Sequence, residues 1–156
     1  MDDADLRWLR RCVELAGEAV EAGDFAFGSV LVDGTGRLRA EDRNREVSLA
    51  DPTRHPEFEL ARWAATHLSA DERRDATVYT SGEHCPMCAA AHAWVGLGRI
   101  VYAMSSAELT AVRAGTPPAP VRPLAVQDVA PHVTVAGPAP ELTADITALH
   151  QRTLRR

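Results

Sequence analysis

Hydrophobic residues near the N-terminus recur at every third or fourth position. This spacing runs from Asp5 to Ala22 and predicts an amphipathic helix, which Gly23 ends. The same periodicity predicts three further helices, over 58–68, 85–95 and 141–154.

Capping residues predict two shorter helices. Ser69 and Glu72 have the spacing of a capping box, which predicts one helical turn directly after the second long helix. Ser105 or Ser106 is expected to cap another helix that reaches about residue 114. The proline-rich stretch 117–131 is expected to be an ordered loop.

Short apolar runs between the helices have the length and residue types of strands. The first covers 29–32 and is followed by the turn Asp33-Gly34-Thr35-Gly36 and a second strand that begins at Leu38, which predicts a hairpin. Three further strands are predicted over 77–80, 99–103 and 133–135. After the hairpin, helices and strands alternate. This order predicts an α/β fold, with a mostly parallel sheet covered by helices on both faces, in a single domain over residues 1–156.

The composition narrows the class of protein. The chain of 156 residues is 46% hydrophobic and 25% charged, as expected of one globular domain. Its acidic N-terminus has no signal-peptide pattern, and no apolar run approaches the ~18 residues of a membrane span, so no membrane association is expected. Three cysteines are too few for a disulfide framework, which predicts a reducing, cytoplasmic location. The net charge of −5 argues against a nucleic-acid partner, because such partners are bound largely through phosphates.

Two short segments carry residues that bind metals, His55-Pro56-Glu57 and Cys85-Pro86-Met87-Cys88. Proline is tolerated at the first position of a helix and keeps the residue before it out of the helical conformation. His55 and Cys85 are therefore predicted to be the N-caps of two helices, with Glu57 and Cys88 in the first turns. Two helix tips of this kind can converge on one ion, with His55, Cys85 and Cys88 as ligands for Zn²⁺.

The number of ligands separates a catalytic from a structural zinc site. A catalytic site keeps a fourth position for water, whereas a structural site closes it with another protein ligand. His84 and His92 are the candidates for a fourth ligand. Glu57 favours the catalytic alternative, since an inert site has no use for a carboxylate beside its histidine. A redox role for the two cysteines is a further alternative, which leaves the histidine and the glutamate unexplained. The remaining histidines are expected at the surface: His67, His132 and His150.

The order and chemistry of these segments resemble the cytidine and deoxycytidylate deaminase superfamily, whose signature is His-x-Glu followed by Pro-Cys-x-x-Cys. The strand that begins Phe27-Gly28-Ser29 and the segment 80–88 are similar to the guanine deaminase and tRNA adenosine deaminase branch. The resemblance implies a three-layer α/β/α sandwich with a mixed five-stranded sheet, and Zn²⁺ as the cofactor. The chain departs from the family pattern at Pro56, where alanine is usual, and at His84, where proline is usual.

The resemblance also implies roles for individual residues. Glu57 would move the protons of a hydrolytic deamination. Asn44 lies before the Asp-Pro-Thr loop, where these families hold the base or the ribose. The other residues implied at the substrate pocket are Phe27, Gly28, Glu83 and His84.

The leading hypothesis is a zinc-dependent hydrolytic deaminase. It would release ammonia from a free nucleobase or nucleoside of the guanine or cytosine type, or from a ring-aza or triazine analogue. A tRNA-specific adenosine deaminase is the first alternative, and it requires a basic surface beside the pocket. A non-catalytic binding module stabilised by zinc is the second. A small-molecule substrate is expected, with no nucleic-acid or membrane partner, and the resemblance implies a homodimer.

Overall fold

The computed structural model describes residues 1–155 of the chain. Five strands form one sheet: β1 Gly28–Val32, β2 Leu38–Arg43, β3 Thr77–Gly82, β4 Arg99–Met104 and β5 Val135–Ala136. Seven α-helices are described: α1 Asp3–Glu21, α2 Pro56–His67, α3 Ala70–Asp75, α4 Pro86–Val95, α5 Ser106–Val112, α6 Val126–Val129 and α7 Thr143–Leu154. A 3₁₀ turn, Pro140–Leu142, precedes α7.

The sheet has the order β2-β1-β3-β4-β5, and β1 runs opposite to the other four strands. The prediction of a mixed five-stranded sheet is confirmed. The expectation that it would be mostly parallel is wrong, since two of its four strand pairs are antiparallel. The hairpin is the reason for this difference. Because β2 reverses the direction of the chain before α2 connects it to β3, β3 pairs with β1 in the antiparallel direction.

Helices cover both faces of the sheet, because its strands bury side chains on both sides. Val30 and Val101 pack with Leu9 and Leu15 of α1. On the other face, the neighbouring residue Leu31 packs with Leu60 of α2. Alternate residues of a strand point to opposite faces, so these two clusters form the two interfaces of a three-layer sandwich.

The N-terminal helix touches the backbone of the sheet at Gly28. A Cβ atom at this position would lie 2.4 Å from the Cβ of Leu15 and 2.5 Å from the carbonyl oxygen of Cys12. Only glycine allows α1 to approach β1 so closely. The contact fixes the start of β1, which is one of the segments implied at the substrate pocket.

A carboxylate in the first turn of α1 joins this helix to the sheet. Both oxygens of Asp5 accept hydrogen bonds from Arg99 at 2.9 Å, and the hydroxyl of Tyr79 donates at 3.0 Å. Burial acts to raise the pKa of Asp5, but the hydrogen bonds from Arg99, Asp2 and Tyr79 outweigh it and hold the pKa below its ordinary value. The interaction therefore stabilises the ionised carboxylate.

The C-terminal third departs from the sequence-based expectations in three places. The last strand is the two-residue β5 rather than 133–135. The amide of Val133 donates to the carbonyl of Ala130 in a turn, so the strand begins two residues later. The predicted loop 117–131 contains α6. His150, expected at the surface, is buried on α7. Within the described residues, no helix is both long and apolar enough to cross a membrane.

Candidate metal and active site

Two helix tips meet at the end of the sheet where β3 finishes. His55 precedes α2 with φ −82° and ψ 135°, and Cys85 precedes α4 with φ −66° and ψ 167°. Both residues are extended N-caps with proline directly after them, as predicted. Cys88 lies in the first turn of α4 and faces the same point as Cys85.

The three predicted ligands are close enough to share one ion. The Nδ1 atom of His55 lies 3.6 Å from each sulfur, and the sulfurs of Cys85 and Cys88 are 3.5 Å apart. Tetrahedral zinc with ordinary bond lengths would separate its ligands by about 3.6 Å for nitrogen to sulfur and about 3.8 Å for sulfur to sulfur. The donor set and its spacing therefore fit Zn²⁺.

The other candidate ligands stand apart from this cluster. Among residues 1–155, the metal-binding group that contains His55 includes only the two cysteines besides it. The Nε2 atom of His92 lies 3.0 Å from the carbonyl oxygen of Gly98, and the ring of His84 packs edge-on against His92 at 5.3 Å. The arrangement thus has three side-chain ligands, as a catalytic zinc site does.

The electrostatics of the cluster favour a metal-binding thiolate. The hydrogen bond from Cys88 and the proximity of His55 lower the pKa of Cys85 to about 4, against the opposing effect of burial. Cys85 is therefore ionised at neutral pH, which is the form that binds metals. Burial lowers the pKa of His55, but its contacts with Cys85 and Glu46 outweigh this and raise the pKa to about 10. Loading of the metal would displace that proton from Nδ1.

Glu57 is buried beside the three ligands. Its Oε2 lies 3.9 Å from the sulfur of Cys88, while its Oε1 accepts a hydrogen bond from the hydroxyl of Thr80 at 2.8 Å. Thr80 in turn accepts a hydrogen bond from Ser29 at 2.9 Å. Burial raises the pKa of Glu57 above its ordinary value. One carboxylate oxygen is thus anchored to the sheet, and the other faces the metal-binding cluster.

Asn44 and Phe27 lie beside each other at the same end of the sheet. The amide of Asn44 donates to the carbonyl of Phe27 at 2.9 Å. The buried side chain of Asn44 accepts from Phe25 and Glu46 and donates to the carboxylate of Glu46. The ring of Phe27 would touch a Cβ at Gly82 and meets the ring of His150 edge-on at 5.0 Å.

Glu83 and His84 directly precede the predicted metal ligand Cys85, and both side chains are buried. The carboxylate of Glu83 accepts hydrogen bonds from the amides of Ser106 at 2.8 Å and Val126 at 2.9 Å. Its side chain therefore holds the starts of α5 and α6. His84 is buried, and neither of its ring nitrogens has a hydrogen-bond partner within the described part of the chain. Burial lowers its pKa well below the ordinary value.

Comparison with known proteins agrees with this geometry. The family model for the cytidine and deoxycytidylate deaminase zinc-binding region matches residues 2–104, two thirds of the chain. The chain belongs to this deaminase family. The match includes the three predicted zinc ligands and Glu57.

Several members of the family with different substrates in their names are similar to the chain. Guanine deaminase of Bacillus subtilis is 40% identical over 97 residues, which are 62% of each chain. A probable cytosine deaminase of Schizosaccharomyces pombe is 32% identical over 70% of this chain and 65% of its own length. The tRNA-specific adenosine deaminase of Haemophilus influenzae is 31% identical over 69% and 62%, respectively. The chain thus spans just under two thirds of the length of these relatives.

Solved structures extend the similarity to the deaminase fold. The guanine deaminase of Bacillus subtilis superposes with a TM-score of 0.60 at 35% identity, over 74% of this chain and 71% of the other. Guanine deaminase of Nitrosomonas europaea gives a TM-score of 0.68 at 21% identity, over 94% and 83%. The second match shows the fold alone, and it includes the C-terminal region beyond the family match.

Three residues of this deaminase-family site were not found from the sequence. Thr80 and Ser29 lie in the two segments that resemble the deaminase family, but a hydroxyl in a strand gives no sign in the sequence that it faces a carboxylate. Glu46 contacts both Asn44 and His55, with Oε1 3.3 Å from the histidine Nε2. It lies in a loop with no periodic pattern, so only the folded structure brings it to the metal cluster.

Proposed function

We propose that the protein is a zinc-dependent hydrolytic deaminase that acts on a nucleobase or nucleoside. The observation that supports this most directly is the position of Glu57 beside a cluster that has three zinc-binding side chains among residues 1–155. A buried carboxylate at an open ligand position suits proton transfer to and from a bound substrate. A closed structural zinc site would need neither feature.

The proposed reaction replaces an exocyclic amine of the substrate by oxygen. Zinc, held by His55, Cys85 and Cys88, would supply Lewis-acid chemistry that lowers the pKa of water to about 7. Glu57 takes one proton from the attacking water and gives it to a ring nitrogen, and it then moves the remaining proton of that oxygen to the departing amine. A carbon–oxygen bond forms, the carbon–nitrogen bond breaks, and ammonia leaves. Thr80 holds one oxygen of Glu57, so that the other stays directed to the reacting atoms.

The relatives and the charge of the chain support a small guanine-type or cytosine-type substrate, or a ring-aza analogue of these. The similar guanine and cytosine deaminases carry such bases in their names. The net charge of −5 disfavours a phosphate-rich partner such as tRNA. We propose that Asn44, Phe27 and Gly28 contact the base, and that the backbone of Glu83 and the ring of His84 border the pocket.

An ammonia-release screen tests this function. The zinc-loaded protein is incubated with guanine, cytosine, adenine, their nucleosides and ring-aza analogues, and a Glu57→Gln variant with equal zinc content serves as the control. We expect turnover of at least one free base or nucleoside by the wild type and almost none by the variant. Activity on a tRNA stem-loop alone would favour the adenosine-editing alternative. No ammonia from any substrate would favour the non-catalytic zinc module.

We also propose that the protein is a cytoplasmic homodimer. Trp94 on α4 is 89% exposed, and a second copy that covered it would remove a large apolar side chain from water. All three cysteines are free of disulfide bonds, which agrees with a reducing compartment. Light scattering coupled to gel filtration should give twice the chain mass for the wild type and a lower mass for Trp94→Glu. A monomeric wild type would contradict the dimer.

A further inference from the structure

The imidazole of His55 has a separate partner on each of its two nitrogens. Nδ1 faces the sulfurs of Cys85 and Cys88 at 3.6 Å, whereas Nε2 lies 3.3 Å from Oε1 of Glu46. A neutral histidine that binds a metal through Nδ1 carries its proton on Nε2. A carboxylate beside Nε2 accepts that proton in a hydrogen bond and so fixes both the tautomer and the orientation of the ring.

Glu46 is itself held in place by Asn44. The side-chain nitrogen of Asn44 donates to the same Oε1 of Glu46 at 2.6 Å, and the amide of Glu46 donates back to the side-chain oxygen of Asn44 at 3.1 Å. These two bonds close a ring between the residues. One carboxylate oxygen therefore joins the amide predicted to hold the substrate to the imidazole predicted to hold the metal.

The loop that carries Glu46 is fixed from the other side by Asp24. The buried carboxylate of Asp24 accepts hydrogen bonds from the amides of Val47 at 3.0 Å and Ser48 at 2.8 Å, and it pairs with Arg43 at 3.2 Å. The backbone on the C-terminal side of Glu46 is thus tied to the end of α1. Glu46 therefore contacts His55 from a backbone segment that hydrogen bonds to Asp24 hold in place.

We propose that Glu46 is a positioning residue of the metal site, which sets the tautomer of His55 and links it to Asn44. The proposal rests on the proposed zinc site, and its test measures metal binding rather than turnover. Partners of this kind ordinarily change metal affinity by about 10- to 100-fold when they are removed.

The test compares three variants by competition for zinc with a chromophoric chelator. Glu46→Ala removes the acceptor, and we expect its Kd for zinc to rise by about 10- to 100-fold. Glu46→Gln keeps an oxygen for His55 and Asn44, so we expect a clearly smaller loss. Glu59→Ala is the matched control, because Glu59 has a similar side-chain exposure, 22% against 18%, but pairs with Arg54 and Arg62.

A second measurement separates positioning from general stability. In ¹⁵N imidazole spectra of the zinc-loaded protein, we expect His55 to carry its proton on Nε2 and to exchange it slowly with water. Glu46→Ala should speed this exchange, whereas Glu59→Ala should not. If Glu46→Ala fails to fold, Glu46→Met and Glu59→Met, which nearly keep the length of the side chain but remove the carboxylate, provide the same test, and equal affinities in that pair overturn the proposal.

The outcomes distinguish this proposal from the proposed function. Wild-type zinc affinity in Glu46→Ala, or equal losses in Glu46→Ala and Glu59→Ala, would overturn the role of Glu46 and leave the deaminase proposal standing. A selective loss in Glu46→Ala supports the role of Glu46 even if the ammonia screen finds no substrate. A wild-type protein that binds no zinc overturns both.

Discussion

Replacement of Thr80 by valine tests whether the strand hydroxyls hold Glu57 in its working position. Valine has nearly the shape of threonine, so the change removes the 2.8 Å hydrogen bond to Oε1 of Glu57 with little change in the packed volume. It also removes the acceptor of the hydroxyl of Ser29. All three side chains are buried, so bulk water does not readily replace the lost contacts.

The expected fall in kcat follows from the charge of the Glu57 carboxylate, which accepts the hydrogen bond from Thr80. A hydrogen bond to a charged group contributes roughly 1.5–3 kcal/mol. If about 2 kcal/mol of this is lost from the placement of Glu57, kcat falls by about 30-fold. Thr80→Ser keeps the hydroxyl and should retain most of the activity. Ser29→Ala removes only a neutral bond of about 0.5–1.5 kcal/mol, so its loss of kcat should stay between about 2- and 13-fold.

The assay is steady-state ammonia release by proteins of equal zinc content, with thermal unfolding as a check that each variant is folded at the assay temperature. The double variant should be no slower than Thr80→Val, because Ser29 acts only through Thr80. A kcat for Thr80→Val within twofold of the wild type would refute the reasoning. So would a Ser29→Ala effect that persists at full size in the Thr80→Val background.

Three further predictions concern the metal and the fold. Cys88→Ser should lose zinc and stability together, and a chelator should lower the melting temperature of the wild type but not of this variant. Gly28→Ala should destabilise by at least about 2 kcal/mol, because its Cβ would lie 2.5 Å from a backbone oxygen of α1, and calorimetry should show a fall of about 4–8 °C. Asp5→Asn should cost about 2 kcal/mol at pH 7, since Arg99 loses a charged partner. The pKa of Asp5 is lowered in the fold, so its contribution is present above pH 4 and disappears as the pH falls through the folded pKa. Urea unfolding from pH 7 to pH 3 should therefore show the gap between wild type and Asp5→Asn narrowing, and a constant gap would contradict this role.

The sequence predicted those parts of the site that depend on local backbone chemistry. Proline after His55 and after Cys85 restricts each residue to an extended conformation, which the folded chain shows at both N-caps. The predicted capping box at Ser69 is present, and of the two candidate caps Ser105 and Ser106 it is Ser105 that caps α5. Interactions between residues within four positions of each other can be predicted directly from the sequence.

The missed features depend on partners that are distant along the chain. The helix α6 begins where the carboxylate of Glu83, 43 residues away, accepts the amide of Val126. No pattern within residues 117–131 could therefore predict that Glu83 caps the start of α6. The direction of β3 relative to β1 also differs from the expectation. It depends on the β1–β2 hairpin, which reverses the chain before α2 leads to β3. Glu46 reaches His55 only after the loop between them has closed.

The single reversed strand β1 divides the connections of the sheet into two sets. The predicted metal ligands, Glu46 and the start of β1 all lie at one end of the strands. The turn between β1 and β2, Asp33–Arg37, lies at the other end. That turn is exposed over 34–37. An affinity tag, a fluorophore or a tether to a solid support placed there would leave the chemistry at the opposite end undisturbed, which gives a practical attachment point for following zinc loading and turnover on immobilised protein.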